Sequence, residues 1–197
     1  PPRDYAQWVR EFEMPGDEVS ANLKVQALKT QIDGFAVLPL FSMLLPCQGA
    51  TLQDAAALAL FEDTLASVRR QIYPNWELCI AVDEHASADL QALLARQLQA
   101  EPRIKVAYLT STAAPSALVQ LSHHALTIGG SAAHNRSAWV LRINATDLIA
   151  VEAINTPARA INEGKNGQII YADEDVLAID GQRCDPYFKC GWNPDLH

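Results

Sequence analysis

Apolar residues in this chain fall into short unbroken runs separated by longer stretches with helical spacing. The run FAVLPLFSMLLP at 35–46 reads as a buried strand, and so do WELCIAV at 76–82, RIKVAYL at 103–109, AWVLRI at 138–143 and GQIIYAD at 167–173. Between them lie stretches of period 3.6. In 51–71, Leu58, Phe61, Leu65, Val68 and Ile72 line one face, and Thr51 stands where a cap is needed. In 88–100, Leu90, Leu94 and Leu98 share one side, and 116–128 forms a further helix. A helix also falls within 150–163, with Thr156 as cap, Pro157 at its first position and Gly164 at its end. VLAIDGQRC carries an Asp180-Gly181 turn between short strands. Strand and helix in repeated alternation predict an α/β domain over 35–197, a Rossmann-like, mainly parallel sheet with helices on both faces. Ahead of it, Tyr5, Trp8 and Phe12 at i, i+3 and i+7 predict a helical arm over 1–34.

Such sheets receive ligands at the carboxyl ends of their strands, so the informative loops are those after 46, 82, 109, 143 and 171. At 197 residues, 49% apolar and 19% charged, the chain is long and apolar enough for one sizeable core. Its net charge of −8 argues against a general nucleic-acid binder, which presents a basic face. The longest apolar run is interrupted by Pro39 and is too short to span a bilayer. Cys47, Cys79, Cys184 and Cys190 form no CxxC pair, and Cys79 inside an apolar strand reads as an inert buried thiol. The expected location is the cytoplasm, with peripheral attachment to the inner membrane face as its closest approach to lipid.

Two blocks carry more than a fold. RRQIYPNWELCIA at 69–81 is similar to the SvlaQtYpnWELcIaDDGS block of the family 2 glycosyltransferases. The long block IIYADEDVLAIDGQRCDPYFKCGWNPDL at 169–196 resembles a bacterial subgroup's iYsDEDkid.dGrr.dPyFKpdWnpDLl, and the front segment with Tyr5 and Trp8 resembles the helix that precedes the domain there. The resemblance implies a GT-A fold from about residue 35 onward. It also implies sugar transfer from a nucleoside diphosphate to a hydroxyl of a glycan acceptor, in the making of a bacterial surface polysaccharide. The leaving diphosphate gathers negative charge, which a Mg²⁺ or Mn²⁺ ion held by an Asp-x-Asp motif normally offsets. A separate carboxylate then takes the acceptor proton.

Carried across residue by residue, the resemblance is mixed. The family's DDGS falls on Val82-Asp83-Glu84-His85, which keeps Asp83 as the contact to the nucleotide base. Its P-x-Y/T-N falls on Pro46-Cys47-Gln48-Gly49, where Pro46 alone survives in that wall of the nucleotide pocket. Its D-x-D-D falls on Asn144-Ala145-Thr146-Asp147, where the last carboxylate alone is kept, so the expectation is a cation held weakly or not at all. Asp173 and Asp175, in a tract like the family's DED, are candidates to help Asp147 with metal or diphosphate, and Arg142 is a candidate diphosphate contact. No catalytic residue is assigned; the resemblance places the base beyond residue 197.

Each candidate also has a plainer reading. Asp83 reads equally as a loop or cap residue, Asp147 as an N-cap and Asp173–Asp175 as a solvated acidic loop. Arg69 and Arg70 read as a solvated helix end rather than a diphosphate contact. The five histidines lack zinc spacing, 128–132 is a connector rather than a phosphate loop, and Trp8, Trp76, Trp139 and Trp192 read as packing residues. Two accounts therefore stand: a glycosyltransferase-like domain that binds a nucleotide sugar and a glycan acceptor, or an inactive GT-A module serving as a scaffold for other domains of a larger polypeptide.

Overall fold

The computed structural model describes residues 5, 7, 9, 18–109, 117–128, 138–165, 167, 169–178 and 180–189. Four strands, β1 (Leu40–Cys47), β2 (Trp76–Val82), β3 (Ile104–Tyr108) and β4 (Ala138–Arg142), form one parallel sheet in the order β3-β2-β1-β4. The helices α1 (Glu18–Asp33), α2 (Ala55–Arg69), α3 (Ala88–Ala100), α4 (Ala117–Ile128) and α5 (Asn155–Asn162) surround it. A two-stranded antiparallel hairpin, β5 (Glu174–Leu177) and β6 (Arg183–Tyr187), forms a second sheet.

The period of two along β1 and β2 sorts their side chains onto two unlike faces. Phe41, Met43, Leu45 and Cys47 of β1, with Trp76, Leu78, Ile80 and Val82 of β2, enter the larger core against Phe61, Leu65 and Val68 of α2 and Leu90, Leu93 and Leu94 of α3. Ala158 of α5 and Ile32 of α1 complete that layer. On the other face, the smaller Leu44, Cys79 and Ala81 let α4 pack closely through Leu121 and Ala125. Toward the amino ends of the strands this second face turns polar. Buried Glu77 accepts from Ser42 Oγ (2.7 Å) and from Lys105 Nζ (2.7 Å), and that bond holds the Lys105 ammonium above its ordinary pKa.

Several boundaries depart from the sequence pattern for identifiable reasons. The first strand starts at Leu40 rather than 35, because Pro39 offers no N–H to a ladder and disfavours regular structure before it. Two residues before Pro39, Val37 instead exchanges both backbone groups with the side chain of Asn162, at 3.0 Å each. Asp54, not Thr51, caps α2 by accepting from Ala57 N; Thr51 closes a 3-10 turn at Gly49–Thr51 by donating to Gln48 O. Ile72 lies past the end of α2 but still packs on the core. On α3 the buried face is Leu90, Leu93, Leu94 and Gln97, and Leu98 is exposed. Thr156 lies inside α5, which begins after Ile154 without a side-chain cap, whereas Gly164 at φ +75° does end it.

The largest departure concerns residues 169–173. They form no fifth strand, and Ile169 and Ile170 are exposed. Strand propensity needs a partner edge to become a strand, and among the described residues none pairs with this run. The strands that do form are β5 and β6, joined through the expected Asp180-Gly181 turn with Gly181 at φ +80°.

Among the described residues, polar side chains tie the N-terminal section to the rest. Lys24 Nζ meets Glu152 Oε1, in the loop before α5, at 3.1 Å, and Asn155 Nδ2 of α5 donates to Gln31 Oε1 at 3.0 Å, which set α1 against this part of the chain. Tyr5, in helical conformation, donates its hydroxyl to Asp175 in the hairpin. Trp76 is core and Trp139 packs at its edge, as the pattern predicts, with the Arg103 guanidinium 3.7 Å over the Trp76 ring. Trp8, Phe12, Cys190, Trp192 and residues 129–132 of the connector lie outside the described residues, while Ile128 ends α4. Among the described residues no helix is long and apolar enough to cross a membrane.

Cys47 and Cys79 are fully buried, and burial pushes both thiols from the ordinary 9.0 up to about 12. The folded state thus favours the neutral thiols. Its stability is intact below pH 9 and falls as pH rises toward the folded values, because the unfolded chain releases those protons first. The urea midpoint is therefore expected to be flat up to about pH 8.5 and to drop by about pH 11, with Cys79→Ala showing the smaller drop. An equal drop in both chains contradicts the assignment.

Candidate functional site

All four strands of the main sheet run the same way, so the ends of β1, β2, β3 and β4 share one edge. This topology also disposes of two candidates. α2 leaves that edge and returns toward the start of β2, so Arg69 and Arg70, at its far end, sit exposed at the opposite edge. They are the solvated helix end.

The loops after β1 and β2 close on one another around Asp83. This residue is 4% exposed, and its Oδ1 accepts from Gly49 N (2.9 Å) and His85 N (3.1 Å). Asp83 N in turn donates to Cys47 O at 3.3 Å. Gln53 Nε2 donates to Gly49 O (2.8 Å) and His85 O (3.1 Å), which ties the start of α2 to both loops. The plain loop-residue reading is therefore partly right, since Asp83 organises the backbone. Yet both hydrogen bonds use one oxygen; among the described residues nothing donates to Oδ2, and it is not one of the buried polar atoms left without a partner. A carboxylate fixed by two backbone N–H groups on one side, with an acceptor left on the other, suits an N–H donor such as the edge of a nucleotide base.

Gly49 departs from the family pattern, and the structure shows why glycine stands there. A Cβ at this position meets Ala86 N at 2.5 Å and His85 C at 2.5 Å, both backbone atoms that cannot move aside cheaply. Pro46 has a topological explanation as well. Ile143 N donates to Leu44 O, so the even-numbered peptide groups of β1 face β4. β4 pairs only as far as Leu44, so the missing N–H of Pro46 lies beyond the ladder and no hydrogen bond is lost.

After β4, Asn144-Ala145-Thr146-Asp147 forms a closed turn. Asp147 N donates to Asn144 O (3.2 Å), and Asp147 Oδ2 accepts from both Asn144 N (2.8 Å) and Asn144 Nδ2 (2.9 Å). Asp147 therefore closes its own loop and caps no helix, because residues 147–150 are irregular. Arg142, at the end of β4, is exposed beside this turn in sequence.

Asp173 and Asp175 belong to the hairpin and are engaged there. Asp173 Oδ1 accepts from Lys189 N at 2.8 Å, and Asp175 Oδ2 accepts from both Arg183 Nε and the Tyr5 hydroxyl. Asp173 and Glu174 are exposed, as the plainer reading of a solvated acidic loop has it, whereas Asp175 is half-buried. Among the described residues no three His, Cys, Asp or Glu side chains gather closely enough to hold a metal ion, so Asp147, Asp173 and Asp175 do not converge on one. The donor set after β4 does not fit Mg²⁺ or Mn²⁺: it offers one carboxylate, with an oxygen already accepting two hydrogen bonds from a neutral neighbour.

The sequence reading missed a buried polar row on the inner side of α2. Thr64, Ser67 and Gln71 all bond to the segment that follows β4. The signal was present, as polar residues at i, i+3 and i+7 beside the apolar face of Phe61, Leu65 and Val68.

With this geometry in view, the similarity to other proteins can be placed. No protein-family model matches the chain. Over 138 residues, 70% of the chain, it is 33% identical to the uncharacterized protein y4gI of Sinorhizobium fredii and covers 14% of it. Over 173 residues, 88% of the chain, it is 28% identical to the O-antigen biosynthesis protein RfbC of Myxococcus xanthus and covers 12% of it. The chain thus spans 12% to 14% of the length of these curated relatives. Among solved structures, the S. aureus TarS 1–349 crystal structure overlays with a TM-score of 0.47 at 16% identity, over 72% of this chain and 42% of that one.

Gly49→Ala is expected to force the two loops apart and to cost roughly 1–3 kcal/mol or more of stability. Chemical denaturation measures this directly; a stability within about 0.5 kcal/mol of the parent chain contradicts the close approach.

Proposed function

We propose that this chain is the nucleotide-sugar-binding part of a larger glycosyltransferase-like protein of GT-A type that takes part in making a bacterial surface polysaccharide, with Asp83 as the contact to the base. The observation that carries this reading is the Asp83 clamp: a buried carboxylate at the end of β2, fixed through Oδ1 and open at Oδ2. Support also comes from the two sequence blocks at 69–81 and 169–196. The Myxococcus xanthus relative is named for O-antigen biosynthesis, and the length of both relatives agrees with a domain that works beside others.

In this reading the base lies against the Pro46 and Asp83 loops. The diphosphate lies toward the turn after β4, with Arg142, exposed at the end of that strand, as a candidate cation. Binding proceeds without a requirement for a divalent ion, because the turn after β4 lacks the carboxylates to hold one. In this reading no residue of this chain is assigned as the base that takes the proton of the glycan acceptor.

Thermal unfolding in the presence of UDP-, GDP- and dTDP-sugars is expected to show a rise in Tm with one of them, equal in EDTA and in Mn²⁺. Asp83→Asn tests the residue itself. The amide oxygen still accepts from Gly49 and His85, but the other position becomes an NH₂ donor, so the fold is kept while nucleotide affinity falls by about tenfold or more. No shift with any of the three nucleotides leaves the chain as a partner-binding scaffold and removes this proposal.

A further inference from the structure

The loop after β4 has little regular structure for the ten residues from Ala145 to Ile154, and its backbone groups need partners. α2 supplies them in three rungs. Thr64 Oγ1 donates to Ala145 O at 3.0 Å. Ile149 N donates to Ser67 Oγ at 3.3 Å. Gln71, just past the helix, donates from Nε2 to Ala150 O at 2.7 Å and accepts at Oε1 from Ile154 N at 3.2 Å. These side chains are 0%, 2% and 7% exposed. Buried hydroxyl and amide groups are costly on the inner face of a helix unless they are bonded, and an apolar residue fills such a place more cheaply. Each also bonds the backbone of its own helix, Thr64 Oγ1 to Leu60 O (3.1 Å), Ser67 Oγ to Thr64 O (2.7 Å) and Gln71 Nε2 to Ser67 O (3.3 Å), so the three side chains bridge helix and loop.

The same helix grips the base side of the site. Gln53, immediately before the Asp54 cap, bonds the backbone of both Gly49 and His85. Gln53, just before α2, and Thr64, within it, therefore hold the backbone at the Asp83 clamp and in the turn at Asn144–Asp147 respectively. Resting on the reading of the site given above, we propose that Thr64 is a positioning residue at the turn, and that Ser67 and Gln71 anchor the stretch that leads from the turn toward the opposite edge of the sheet. They fix the diphosphate-side loop at a set distance from the base contact, without touching the ligand and without a cation.

The test compares the nucleoside diphosphate that the chain binds best with the monophosphate of the same base, by calorimetry. Thr64→Val keeps the shape and removes the hydroxyl. It is expected to weaken the diphosphate by about five- to tenfold and to leave the monophosphate unchanged. Thr64→Ser, which restores a hydroxyl, is expected to return the diphosphate affinity to within about twofold. In Ser67→Ala, faster amide hydrogen exchange at Ile149 is expected, with the Gly49 amide unaffected. A Thr64→Val chain that loses both ligands equally, or neither, overturns the positioning role. So does unchanged exchange at Ile149, whatever the nucleotide result. If the parent chain binds no nucleotide, the functional reading falls and takes the ligand-positioning role with it, while faster exchange at Ile149 would still show that α2 holds the loop.

Discussion

Every residue of β2, and of β1 beyond Leu40, is buried. Two adjacent parallel strands in that state must be covered on both faces, and their ladder leaves no freedom of register. The larger side chains point toward α2 and α3 and the smaller ones toward α4, so the two coverings are not interchangeable. Once β1 and β2 are fixed in this way, their carboxyl ends lie side by side and the loops that leave them have to fit against one another. Gly49 is the consequence. The backbone of 85–86 comes so close that no side chain fits at 49, and the freed amide turns to Asp83. The clamp is thus a product of core packing, and the candidate ligand site inherits the rigidity of the sheet beneath it.

The parts of this architecture that the sequence made legible are those in which one physical signal dominates. The runs at 76–82 and 88–100 coincide with β2 and α3 residue for residue, because hydrophobic period and breakers agree there. Where two signals compete, the pattern fails. FAVLPLF is apolar throughout, yet Pro39 decides where pairing starts. Thr51 and Asp54 are both good caps three residues apart; the tight turn at Gly49–Thr51 consumes the first and leaves the second to start the helix. IIYAD at 169–173 has every local property of a strand, and strand formation depends on an edge that no window of sequence reveals.

The site shows the same division. Asp83 was legible from its place after an apolar strand. Its dual use, one oxygen for the fold and one left over, was not, because it depends on the approach of a loop 34 residues away. Asp175 was legible as an acid in a recognisable tract. The tie to Tyr5 at the other end of the chain, 170 residues off, was not. That tie changes the meaning of the tract, since a carboxylate that joins the N-terminal segment to the hairpin through Tyr5 and Arg183 has less to offer an ion.

Charge and hydrogen bonding divide the work at the end of β4 in an unusual proportion. A loop built around several carboxylates gains its shape when a cation draws them together, and loses it when the cation leaves. The turn at Asn144–Asp147 has its shape beforehand, because a neutral amide and a single carboxylate satisfy each other and α2 bonds the backbone that follows. Preorganisation of this kind lowers the ordering cost of binding but supplies no positive charge. In a chain of net charge −8, the proposed diphosphate contact rests on local groups such as the exposed Arg142 and the backbone N–H groups of the loops. Under the proposed function, such a site exchanges charge neutralisation for geometry, with Asp83 and the turn each held by the backbone around them rather than by an ion shared between protein and ligand.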